Sequence, residues 1–118
     1  MKLLFSATGF TLTGELEKYA TNKLARLTRQ VPRQLRPAAS CALDFTLVQQ
    51  PDVKFSTCAL TLTMDGESFK AEETTQHMYA ALDIAVVHLE QQLKDYAARH
   101  KPGLRGRLKR SLDGSDWQ

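Results

Sequence analysis

The side chains in this sequence that could do chemistry are three histidines, two cysteines, a few paired acids and sixteen lysines and arginines. His77 and His88 share one helical face. At about 1.5 Å per residue they stand roughly 16 Å apart, too far to hold one metal ion. Cys41 and Cys58 each alternate with polar neighbours, which puts them on the inner face of adjacent strands, diagonal to one another, as small buried hydrophobes. Glu72 and Glu73 point to opposite sides of a strand and cannot work as an acid–base pair. Gly103 to Gly106 is too short and misplaced to be a phosphate loop, and no serine sits in a nucleophile-elbow pattern. The pattern names no catalytic residue, no metal ligand and no cofactor.

The cations are arranged differently. Lys18, Asn22, Arg26 and Arg29 fall within about 80° of a helical wheel, with Lys23 on the shoulder, opposite an apolar stripe of Leu16, Ala20, Leu24, Leu27 and Val31. A second helix ends in Lys94, Arg99 and Lys101, and the basic run continues through Arg105, Arg107, Lys109 and Arg110 without an acid. Setting aside the six basic residues from Arg99 to Arg110, and Asp113 and Asp116 beyond, residues 1–98 hold ten basic and eleven acidic residues. The body is therefore near neutral and the excess of +3 sits at the C-terminal end. Such a segment suits a polyanion, nucleic acid ahead of membrane; a solvated, disordered tail is the plainer account of it.

The elements that must position these groups follow from hydrophobic period. From Thr75 to about His100, Met78, Leu82, Ala85, Leu89, Leu93 and Tyr96 recur at helical spacing. Thr74 or Thr75 is the expected N-cap and Pro102-Gly103 the expected stop. Thr13 is placed to cap the first helix, with Glu15 and Glu17 in its first turn, and Pro32 to end it near Val31. A connecting loop over Pro32 to Pro37 follows. Lys2 to Ala7 reads as a strand. Cys41 to Leu47 and Ser56 to Met64 alternate with period two, as strands covered on one face do. Asp65-Gly66 signals a two-residue hairpin, pairing Leu62 with Phe69 and Leu60 with Ala71. The expected fold is α+β, in the order β-α-β-β-β-α, a four-stranded sheet with both helices on one face. The sheet's outer face has no aromatic pair for base stacking, which counts against an RRM-type platform.

At 118 residues the chain is sized for one domain. Residues 1–101 are expected to form it, with 102–118 a basic, disordered tail. No apolar run reaches membrane-spanning length and MKLLFSATGF is a poor signal peptide, so the expectation is a cytoplasmic protein with reduced thiols.

The residues Lys23 to Arg29 (KLARLTR), Met78 to Asp83 (MYAALD) and Leu89 to Lys94 (LEQQLK), with Thr13 opening the first helix, resemble the ribosome hibernation promoting factors, the protein Y family. The likeness covers about residues 2–101. It implies a fold similar to double-stranded-RNA-binding domains. It also implies binding to the small ribosomal subunit in the decoding channel, where members exclude mRNA and tRNA and keep idle ribosomes inactive during stress and stationary phase. Lys23, Arg26 and Arg29 fall where the family places rRNA-contacting residues. The second helix departs from the pattern, with His88, Gln91 and Asp95 where members carry cations and His77 where they carry an acid; the basic tail restores charge beyond it. The expected RNA-binding set is Lys23, Arg26, Arg29, Lys94, Arg99, Lys101, Arg105 and Arg107. The expected partner is small-subunit rRNA, met by a short-form member that is a monomer off the ribosome, without membrane or small-molecule substrate. Two other readings stay open: a general structured-RNA or duplex-RNA binder, and a regulatory protein-interaction module using exposed Val87.

Overall fold

The computed structural model describes residues 1–100, the side chain of His100 excepted. The expected helix stop at Pro102-Gly103, the tail 102–118 and the site residues Lys101, Arg105 and Arg107 lie outside the described residues. The chain runs β1 (Lys2–Thr8), α1 (Gly14–Thr28), a 3-10 helix (Arg33–Ala38), β2 (Ser40–Gln50), β3 (Val53–Met64), β4 (Glu67–Thr75) and α2 (Met78–His100). Strand order is β1-β2-β3-β4, with β1 parallel to β2 and the other pairs antiparallel.

Period-two alternation sends Cys41, Leu43 and Phe45 of β2, and Cys58, Leu60, Leu62 and Met64 of β3, to one face, where all are buried. Asp65 and Gly66 have φ of 50° and 76°, the two left-handed residues of a tight hairpin turn. That turn sets Leu62 opposite Phe69 and Leu60 opposite Ala71, so β4 delivers its apolar residues to the same face. Against this face α1 lays Leu16, Ala20, Leu24 and Leu27, and α2 lays Leu82, Ala85, Leu89, Leu93 and Tyr96. Each large apolar side chain so buried contributes about 1.5–3 kcal/mol.

Three local expectations are corrected. The α-helical part of α1 stops at Thr28, and three i→i−3 bonds, Arg29 N–H to Arg26 O, Gln30 N–H to Leu27 O and Val31 N–H to Thr28 O, tighten its last turn and still bury Val31. The segment expected as a loop after Pro32 is a 3-10 helix, with Leu35 N–H donating to Pro32 O. Thr75 does not cap α2: it ends β4, and the first helical bond runs from Ala81 N–H to His77 O. The Thr75 hydroxyl instead accepts from His77 N–H and donates to His77 O, turning the corner between strand and helix.

The expected cap of α1 is in place, Thr13 Oγ1 accepting from Leu16 N–H at 3.1 Å. Because β4 runs in the same direction as β1 and each helix folds straight back over its strand, α1 and α2 run parallel. Their C-terminal ends share the sheet edge where β2 begins and the β3–β4 hairpin turns.

Gly9 makes the return from β1 possible. Its φ is +87°, and a Cβ there would stand 2.0 Å from the Leu47 carbonyl oxygen of β2. Gly9→Ala is expected to cost about 2 kcal/mol or more, seen as a lower urea midpoint. Gly66→Ala, with open space around it, should cost only about 1 kcal/mol.

Candidate nucleic-acid interface

Lys18, Asn22, Arg26 and Arg29 are exposed along the outer side of α1, opposite its buried stripe. Arg26 and Arg29 belong to the last turn and C-cap, where the negative end of the helix dipole favours cations. Among the described residues neither forms an ion pair, so both guanidinium groups are available to an anion. Arg36 is used differently. Its Nε donates to Val31 O at 3.0 Å and its Nη2 to Arg29 O at 3.2 Å, closing carbonyls that the end of α1 leaves unpaired.

Lys94 and Arg99 are exposed near the end of α2, beside the buried positions Leu93 and Tyr96. The parallel course of the helices therefore gathers Arg26, Arg29, Lys94 and Arg99 toward one edge, and Arg33, exposed on the 3-10 helix, adds to it. Acids share this edge, with Asp65 and Glu67 at the β3–β4 turn and Asp95 exposed beside Lys94, whereas Glu15 and Glu17 sit at the opposite end of α1.

Lys23 is not in that open set. It turns into the seam between the helices, where its Nζ is 3.3 Å from Asp83 Oδ1 and 5.4 Å from the centre of the Tyr19 ring. Tyr19 donates its hydroxyl to the same carboxylate, at 2.8 and 3.0 Å from its two oxygens, and meets Tyr79 edge-on at 4.8 Å. The Asp83 carboxylate raises the proton affinity of both groups, chiefly by hydrogen bonding. Sequence reasoning missed this latch. Its signal was faint: Tyr19 flanks the core stripe of α1, and Asp83 closes the Met78–Asp83 motif.

The remaining reactive groups stay apart. Cys41 faces Leu62 and Cys58 faces Phe45, so the thiols lie diagonally on adjacent strands, offset by four residues, about 13 Å along the ladder. Both are free and fully buried, and desolvation pushes each thiol up to about 12. Among the described residues no group of three His, Cys, Asp or Glu side chains could hold a metal ion, and no helix is long and apolar enough to cross a membrane.

The profile of the family described as sigma 54 modulation protein / S30EA ribosomal protein matches residues 3–101. Two solved structures share the fold. One is the protein Y N-terminal domain of Thermus thermophilus, with TM-score 0.68 and 24% identity over 81% of this chain and 99% of that one. The other is a ribosomal subunit interface protein of Coxiella burnetii, with TM-score 0.67 and 20% identity over 83% of this chain and 99% of that one. No curated protein matches the chain.

Two outcomes test the geometry. Asp83→Asn should lower stability by about 1 kcal/mol through the weakened Tyr19 hydrogen bond. Tyr19 and Lys23 hold their protons more tightly when folded, so the advantage of the native protein over Asp83→Asn should be full below pH 10.0 and shrink as pH rises through the raised values. Paired urea titrations across that range measure it. In the folded protein neither thiol should react with a thiol reagent at pH 8, and both should react on unfolding.

Proposed function

We propose a non-catalytic translation inhibitor, starting from the premise that the chain belongs to the sigma 54 modulation protein / S30EA ribosomal protein family. A ribosome-associated role follows from that membership. The finer reading is that residues 1–101 bind small-subunit rRNA in the decoding channel, block mRNA and tRNA, and hold ribosomes inactive, the protein being a monomer before it docks. The observation that carries it is the pair of unpaired guanidinium groups, Arg26 and Arg29, at the edge where Lys94 and Arg99 also emerge.

Cations held on two parallel helices can follow a folded RNA backbone by phosphate contacts alone. Lys101, Arg105 and Arg107 would extend the same contact beyond α2. Lys23 enters this set on one condition: a phosphate must replace Asp83 as its partner, so it contributes less than the two arginines. If five or six phosphates are neutralised, the log–log slope of affinity against salt is about −4 to −5.

Arg26→Glu with Arg29→Glu should abolish co-sedimentation with ribosomes through a sucrose gradient at low salt. The melting temperature should fall by only a few degrees, because two acids in the last turn of α1 cost about 1 kcal/mol against the dipole. Unrelated duplex RNA should compete only at concentrations orders of magnitude above those of ribosomes. Equal competition would instead favour a general structured-RNA binder, and sedimentation of the native protein in the free fraction alone would overturn the ribosomal reading.

A further inference from the structure

At the opposite end of the molecule from the arginine edge, α2 begins without a built-in anion. Its first turn contains no acidic residue. The amides of Met78, Tyr79 and Ala80 have no partner among the described residues, since the first helical bond is donated by Ala81 and His77 N–H is held by Thr75. At α1 the same need is met by the Thr13 hydroxyl and two glutamates.

Met78 and Tyr79 of this turn line a pocket of about 260 Å³, with Lys54, Ser56, Gln76 and His77 on its polar wall and Phe10 and Leu47 on its apolar one. Ser56 is the decisive residue. It occupies a core position on β3, between Leu47 of β2 and Thr75 of β4, and is only 2% exposed. It is the one polar side chain buried among the described core residues, and its hydroxyl has no hydrogen-bond partner there. An unmet hydroxyl at such a site costs roughly 1–3 kcal/mol unless something entering the pocket satisfies it. Lys54 adds a positive charge at the same mouth, and an adjoining pocket of about 510 Å³ continues past Lys54 toward Phe55 and Asp52.

We propose that the N-terminus of α2, Ser56 and Lys54 form a binding site for a phosphoryl group, carried by a free nucleotide or by an RNA backbone. The oxygens of the phosphoryl group accept from the orphan amides and the Ser56 hydroxyl, while Lys54 neutralises its charge. The Asp52 carboxylate in the adjoining pocket sets the orientation: the anion lies on the Ser56 side, and the nucleoside extends along Phe55. The site stands independently of the ribosomal reading, since it shares no side chain with the arginine edge.

Two-dimensional NMR of the amide groups, on the full chain at constant ionic strength, tests the site with inorganic phosphate, adenosine monophosphate and a short single-stranded RNA as separate probes. Saturable shifts at Met78, Tyr79 and Ala80 are expected, weakened about tenfold by Ser56→Ala and again by Lys54→Gln. Tighter binding of the mononucleotide than of RNA assigns the site to a free nucleotide, and the reverse order assigns it to a backbone phosphate. Equal affinities leave recognition with the phosphoryl group itself, still as proposed. Absence of shifts at these amides, or shifts that survive Ser56→Ala unchanged, overturns the site. Lys54 is exposed, so Lys54→Gln decides alone if Ser56→Ala disturbs the fold.

Discussion

Everything in this structure depends on a single apolar layer between one face of the sheet and two helices. The sheet can bury only one face because its strands alternate, and a period of two leaves every second residue outside. Leu43, Phe45, Leu60 and Leu62 form the floor of that layer, with Leu24, Leu82, Leu89 and Leu93 as its roof. Both helices must therefore lie on the same side. With β1 and β4 running in the same direction, they must also run the same way.

That parallel course has an electrostatic consequence. Two helix dipoles point their negative ends at one edge of the sheet, and cations in the last turns are favoured there by about 0.3–1 kcal/mol each. Arg26, Arg29 and Arg99 occupy that end, so the groups that complement the dipoles are also exposed cations at one edge. Arg36 shows the other use of a guanidinium, since its donors are committed to the carbonyls of Arg29 and Val31. The two positive ends lie together at the far edge, where α1 supplies its own cap and α2 does not.

The seam between the helices sorts the cations. Asp83 takes Lys23 and Tyr19 together, which ties α1 to α2 above the core by polar contacts beside the Tyr19–Tyr79 ring contact. A half-exposed pair of this kind contributes little by Coulomb attraction and more by fixing how the helices meet. It also removes one positive charge from the surface that the arginines leave open. Family membership rests on the match over residues 3–101, and the shared fold accommodates this seam without any change of architecture.

Hydrophobic period and turn chemistry were enough to specify the α+β class, the element order, the hairpin register at Leu62–Phe69 and the buried stripes of both helices. These signals are local: a period is carried by neighbours in sequence, and Asp65-Gly66 determines its own turn. The exposure of Arg26 and Arg29 was legible for the same reason, being the complement of the α1 core stripe. The partner of Lys23 was not, because Asp83 lies sixty residues away and reaches it only once both helices rest on the sheet. Likewise, Ser56 read as one more alternating residue of β3, and Thr75 as a cap for α2. Only the packing of α2 against β3 and β4 decided that the first hydroxyl would be buried without a partner and the second would close a corner, because hydrogen-bond satisfaction depends on neighbours that the chain order does not place side by side.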